Sequence, residues 1–174
     1  MKSAASYSFI LALLSGFVDT AVFVHMGGLF VAHVTGNFVL LGATVAGAGH
    51  AGHGGSATLQ LISFPIFFAA AMLAAAIAGR VAEPRRTSAL LWIATLLTLG
   101  TGITALAGLG ADPVLAMILV VAMGILNAAQ RLDAGLGAPF TVMTGNVTGV
   151  ALAAAQGLRL APPPSVAPAP QATQ

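Results

Sequence analysis

Asp19 is the residue whose type and position most suggest chemistry, because it is a lone carboxyl inside a long apolar stretch. A charged side chain at the centre of a membrane helix costs roughly 2.5–3.5 kcal/mol on insertion scales. Such residues usually face other helices and often carry function. No Lys or Arg lies within the apolar stretches, so we expect burial to favour the protonated acid. Asp19 then either relays protons or donates one hydrogen bond between helices, to Thr144 or Asn146.

The tripeptide Thr-Gly-Asn occurs twice, as Thr35-Gly36-Asn37 and as Thr144-Gly145-Asn146. Glycine lets a backbone or ligand approach closely, threonine can bond to a carbonyl one turn earlier, and asparagine needs partners in lipid. Together they can interrupt a helix and free carbonyls for a polar substrate or ion, as the broken helices of transporters do. The alternative is that the two tripeptides pack against each other on a pseudo-symmetry axis.

Two further groups of polar side chains are candidates for a solute path. Asn127, Gln130 and Arg131 share one helix face, which either lines a pore or marks a membrane boundary where Arg131 reaches the interface. His33 lies four residues before Asn37 and either carries a proton or packs as a hydrogen-bonded side chain.

The motifs that carry catalysis or metal binding are missing from the sequence. There is no Gly-x-Ser-x-Gly elbow, no His-Glu-x-x-His and no phosphate-binding loop, so we expect a protein that is not an enzyme. The chain has no cysteine, and His50 and His53 have no third ligand nearby. We therefore predict neither a metal site nor a cofactor.

The composition indicates which elements position these residues. Hydrophobic residues make up 58% of the 174 residues and charged residues 6%, whereas soluble domains carry about 25% charged residues. Six apolar stretches are each long enough for a hydrocarbon core of about 30 Å, within which the backbone must be helical. They are residues 7–25, 28–49, 59–79, 88–108, 113–129 and 138–158.

These stretches predict an all-α fold, a polytopic transmembrane bundle of about six segments. Residues 1–160 form one domain, and residues 161–174 form a disordered tail rich in proline and alanine. The expected partners are the lipid bilayer, a small solute and a second copy of the chain. Nucleic acid is not expected, because the six basic residues are dispersed along the sequence.

An internal repeat relates the two ends of the chain. Residues 16–19 and 34–37 recur as residues 124–127 and 143–146, so segments 1–2 correspond to segments 5–6. If all six segments cross, the repeats are parallel, and Lys2 and Arg159 lie opposite the other basic residues. If the Thr-Gly-Asn segments re-enter instead, the repeats are inverted and Lys2 joins the main basic cluster. The charge count favours the second arrangement, whereas 20-residue apolar runs favour the first.

The motifs at both ends resemble the YoaK-like family of small bacterial multi-pass membrane proteins, a domain of unknown function. The resemblance rests on residues 16–19, 27–31 and 35–37, and on residues 124–128 and 143–146. It implies a location in the bacterial inner (plasma) membrane and no established substrate. The leading hypothesis is a transporter or permease of a small solute, and the alternative is a membrane protein that assembles with another complex without transporting.

Overall fold

The computed structural model describes residues 4–47, 56–137 and 139–161, which form six α-helices and no strand. The predicted tail beyond residue 161 and the loop that carries His50 and His53 lie outside the described residues. The helices are α1 (Ala4–His25), α2 (Val34–Val45), α3 (Ala57–Arg80), α4 (Glu83–Leu106), α5 (Asp112–Leu132) and α6 (Met143–Gly157), with a single 3-10 turn at Ala134–Leu136.

Four helices, α1, α3, α4 and α5, are long and apolar enough to cross a membrane. They contain 21 to 24 residues, which at a rise of about 1.5 Å per residue gives roughly 31–36 Å. Large apolar side chains point outward from α1 and α4, among them Phe9, Phe17, Trp92 and Ile103. A surface of this kind suits contact with lipid and confirms the prediction of an all-helical, membrane-type protein.

The prediction of continuous helices over residues 28–49 and 138–158 is wrong. The helix α2 has 12 residues and α6 has 15, or roughly 18 and 23 Å at about 1.5 Å per residue. Irregular backbone at residues 29–33 and 139–142 precedes each helix. Gly27 and Gly28, with φ of 67° and 121°, end α1, and Gly137, with φ of 84°, follows the 3-10 turn after α5.

Contacts at both ends show that α1 and α5 run antiparallel. At the start of α1, the backbone of Ala4 lies so close to Gly137 that a Cβ on this glycine would be 2.5 Å from the Ala4 carbonyl oxygen. At the other end of α1, His25 Nε2 lies 3.1 Å from a carboxylate oxygen of Asp112, the first residue of α5. The parallel arrangement of these two helices that six crossings would require therefore does not occur.

The core lies where α3 and α5 cross at short range. A Cβ on Gly124 would be 2.9 Å from both Ala70 Cβ and the Phe67 carbonyl oxygen, so only glycine fits there without a shift. The face of α3 turned to this contact is built from alanines, and Ala70, Ala71 and Ala74 are buried. Small residues let two helix backbones pack closely where lipid gives no hydrophobic drive for association.

Candidate functional site

The first turns of α2 and α6 meet inside the bundle. Thr35 Oγ1 and Thr144 Oγ1 are 3.1 Å apart and share a hydrogen bond. From this contact the two helices run toward opposite ends of α3. The side chain of Asn37 on α2 bonds to Ser63 near the start of α3, whereas Ala155 on α6 packs against Ala75 near its end. The contact thus joins the N-terminal ends of two short helices near the middle of the long ones.

Asp19 holds the segment that leads into α2. Its Oδ1 accepts hydrogen bonds from the backbone N–H groups of Val31 and Ala32, both at 2.7 Å, and its Oδ2 accepts one from His33 N–H at 3.2 Å. The side chain is buried, and its partners are backbone amides rather than the predicted Thr144 or Asn146. A carboxyl of α1 therefore satisfies N–H groups that directly precede a helix and would otherwise lack partners.

The imidazole of His33 completes this cluster. Its Nδ1 is 2.5 Å from Asp19 Oδ2, so the two side chains share a short hydrogen bond. The His33 side chain is 42% exposed, whereas that of Asp19 is 5% exposed. The pair thus connects a buried carboxyl to the surface of the described bundle through one ring.

The two Thr-Gly-Asn tripeptides have different surroundings. Asn37 is buried, accepts a hydrogen bond from Phe30 N–H, and donates to the Phe30 carbonyl and to Ser63 Oγ, each at 2.8 Å. The Phe30 ring covers Gly36, where a Cβ would lie 2.8 Å from a ring carbon. Asn146, by contrast, is exposed, and no other described residue bonds its side chain. Only the first tripeptide is locked into the bundle through its asparagine.

The polar face at the end of α5 holds the segment that leads into α6. The Oδ1 of Asn127 accepts a hydrogen bond from the Thr141 hydroxyl, and Gln130 Oε1 accepts one from Phe140 N–H at 3.3 Å. Arg131 donates from Nε and Nη2 to the Gly145 carbonyl oxygen, at 3.1 and 2.8 Å. The three side chains of this face therefore bind residues 140–145, and Arg131 turns toward α6.

Several buried polar residues of the site were missed in the sequence. Gln60 Nε2 donates to the Gly28 carbonyl at 2.7 Å, which ties α3 to the turn after α1. The Gln60 Oε1 and Ser15 Oγ atoms are buried and have no partner among the described residues. Gln60 and Ser63 lie three residues apart in an apolar stretch, a spacing that puts them on one face and could have revealed them.

Two cavities, each of about 470 Å³, flank the site. One lies between α1, α4 and α5 and is lined almost entirely by apolar side chains. The other is polar and lies where α3 and α5 end and α4 begins, beside the last turn of α6. Neither lining includes Thr35, Asp19 or Asn37, so both cavities are separate from the contact between the two short helices.

Comparison with known proteins identifies a family but no activity. A family model described as a protein of unknown function, DUF1275, matches residues 7–170, which is nearly the whole chain. Neither a curated protein nor a solved structure matches.

Proposed function

Because the chain belongs to the DUF1275 family, whose function is unknown, we propose a function from the geometry alone: a membrane transporter or permease for a small solute. The observation that carries the proposal is the contact of Thr35 with Thr144, which joins the N-terminal ends of two short helices among four long ones. Broken helices with this placement form the substrate sites of many transporters, near the middle of the bilayer.

In the proposed arrangement α1, α3, α4 and α5 cross the membrane, while α2 and α6 re-enter from opposite sides. Their lengths support this, since about 18 and 23 Å fall short of a hydrocarbon core of about 30 Å. The charges support it as well. All five arginines then lie at one end, the cytoplasmic one by the positive-inside rule, and we place the protein in the bacterial plasma membrane.

The same arrangement makes the proposed repeats inverted. The unit of α1 and α2 and the unit of α5 and α6 begin at opposite ends, because α1 and α5 are antiparallel. In each unit a polar residue of the long helix binds the segment before the short one: Asp19 binds residues 31–33, and Asn127 binds Thr141. Inverted units of this kind can exchange conformations, which would open the central contact to one side and then the other.

The Asp19 and His33 pair gives the proposed transporter a candidate proton carrier. His33 Nδ1 and Asp19 Oδ2 share a hydrogen bond of 2.5 Å, and Asp19 also binds the backbone that leads into α2. Moving the proton of that bond would change the charge of the group that holds the α2 segment, and so the stability of its hydrogen bonds. Proton-coupled transport would use this dependence of the α2 segment on the proton of the Asp19 and His33 pair. The chain would then act as a carrier rather than an enzyme.

A disulfide across the two short helices tests the proposal, because the natural chain has no cysteine. In proteoliposomes, T35C/T144C protein is screened with a panel of carboxylates, phosphate, sugars, amino acids and alkali cations. We expect flux of at least one class when the thiols are reduced, loss of that flux on oxidation, and recovery on reduction. A T44C/T144C pair serves as the control, since Thr44 lies near the far end of α2. Unchanged flux through the cross-linked protein, or no flux of any panel member, would contradict the proposal.

A second function, a membrane protein that assembles with a partner without transporting, is favoured by the packing of the centre. Asn37, Asn127 and Thr144 are each at most 2% exposed, and Thr35 touches Thr144 directly. A centre of this kind is what a purely structural bundle requires. Under this second proposal, no panel solute moves, and one stable partner, or a second copy of the chain, co-purifies with the protein.

A further inference from the structure

The polar cavity at the basic end of the bundle has the composition of a binding site. It lies between the end of α3, the start of α4 and the ends of α5 and α6, with a volume of about 470 Å³. Arg86 and Arg131 line it together with Thr87 and Gln156. Residues from four helices thus converge on one concave space with few, well-placed polar groups.

Both guanidinium groups lack an acidic partner. Arg86 Nε donates to the Val81 carbonyl at 3.0 Å, and Arg131 donates to the Gly145 carbonyl. These acceptors are neutral, and within the described part of the chain no carboxylate oxygen lies within 4.0 Å of either group. Each arginine keeps N–H groups that are free to bind a further acceptor, because a guanidinium has five.

The acidic residues of the same cavity are already engaged or lie beyond ion-pair distance. Asp133 accepts hydrogen bonds from the Thr87 hydroxyl at 2.5 Å and from Gly135 N–H at 2.8 Å. Glu83 lines the cavity and forms no ion pair with Arg86 or Arg131. The lining therefore carries two basic and two acidic residues, and neither arginine is paired with a carboxylate at contact distance.

We propose that this cavity binds a phosphate-type oxyanion between Arg86 and Arg131. Arginine pairs with phosphate through two parallel N–H···O bonds, which gives both affinity and orientation. The anion is either the headgroup of an anionic phospholipid or a free phosphate ion, since the cavity lies at the end of the bundle where the basic residues collect. The site would hold an anion whether or not the protein moves a solute.

Arg131 connects this cavity to the contact between the short helices. Its guanidinium binds the carbonyl of Gly145, the residue after Thr144, and lies within 3.7 to 3.9 Å of where Cβ atoms on Gly145 and Gly149 would be. An anion that draws on Arg131 would act on the first turn of α6. The proposed site thus couples anion binding to the position of α6.

The test measures binding and thermal stability of the full chain in nanodiscs. One arm uses discs of phosphatidylcholine alone and adds inorganic phosphate against chloride at equal ionic strength. The other arm replaces part of the phosphatidylcholine with phosphatidylglycerol and adds no phosphate. A rise of Tm in the first arm identifies a free anion as the ligand, and a rise in the second arm alone identifies a lipid headgroup. No rise of Tm in either arm overturns the proposal.

Variants decide whether the cavity is responsible. R86Q should weaken binding roughly tenfold to a hundredfold, the range expected for a lost charge-assisted hydrogen bond. R85Q is the matched control, because Arg85 is the neighbouring exposed residue and carries the same charge outside the cavity lining. R131Q should weaken binding too, and it also removes the hydrogen bonds from Arg131 to the Gly145 carbonyl in the first turn of α6. Equal loss of binding in R85Q and R86Q would mean diffuse attraction to the basic end, and the proposal would fail.

Discussion

At the scale of single residues, the polar side chains of the site bond to backbone groups of the irregular segments as well as to one another. Asp19 accepts three backbone hydrogen bonds, and Asn37 exchanges two with Phe30. In a membrane these groups have no water to replace them, so each irregular segment depends on the side chain that satisfies it. The polar residues are therefore structural requirements of the short helices before they are candidates for a solute path.

Replacing Asp19 by asparagine should loosen the segment before α2. The variant keeps one acceptor oxygen and brings an NH₂ group toward backbone donors, which leaves buried groups unsatisfied at a cost of roughly 1–3 kcal/mol. We expect a clearly lower Tm in detergent and loss of any flux found in proteoliposomes. D112N is the control, because the Asp112 side chain is 59% exposed and its pairing with His25 contributes little. Equal Tm values for the two variants would contradict this account of Asp19.

The two asparagines of the repeated tripeptide offer a comparison within one chain. N37A should lower Tm substantially, since it removes three hydrogen bonds and leaves the Phe30 N–H and carbonyl without their side-chain partner, whereas Ser63 keeps its bond to the Gln60 carbonyl. N146A should leave Tm nearly unchanged, because that side chain is exposed. Thermal unfolding of both variants measures the difference. Similar losses at the two positions would show that the tripeptides are equivalent, against the structure.

The sequence predicts which residues matter better than it predicts their partners. Asp19, Asn37 and Asn127 stand out as polar residues in apolar stretches, and all three are buried. Their partners include backbone groups and hydroxyls of segments that are not helical, and apolar composition alone cannot reveal those segments. The exposure of Asn146 could not be predicted either, since the same two residues, threonine and glycine, precede it and Asn37.

At the scale of elements, the close crossing of α3 and α5 determines how tightly the bundle packs. G124A should lower Tm, because the new Cβ would lie 2.9 Å from backbone and side-chain atoms of α3. G102A on α4 is the matched control, since a Cβ there meets nothing within 4 Å and alanine favours a helix by roughly 0.5–1 kcal/mol. Thermal unfolding should show a lower Tm for G124A and a higher Tm for G102A than for the natural chain. A higher Tm for G124A would contradict the close crossing of α3 and α5.

The short lengths of α2 and α6 could not be predicted from the sequence. Residues 29–33 are mostly apolar and read as the start of a span, although their N–H groups bind Asp19 and Asn37 instead of a helix. The long helices were predicted correctly because uninterrupted apolar length is itself the signal. The breaks lie beside Gly28 and Gly137, which interrupt the helices through positive φ.

At the scale of the whole molecule, the proposed account has two units that enter the membrane from opposite faces and meet at Thr35 and Thr144. Antiparallel α1 and α5 are required by this account and incompatible with six crossings. The proposed orientation of the chain rests on its charges, because re-entry of α2 and α6 would place all five arginines at one end. The proposed transport and the proposed topology therefore depend on the same feature, the meeting of two oppositely oriented units at Thr35 and Thr144.

Cysteine accessibility in sealed vesicles tests this topology most directly, since single cysteines can be added to a chain that has none. A membrane-impermeant maleimide is applied to vesicles of known orientation that carry A4C, A82C, L109C or L158C. The account predicts that positions 4, 82 and 158 react from one side and position 109 from the other. If positions 4, 109 and 158 reacted from one side and position 82 from the other, the chain would cross the membrane six times. That result would contradict the account.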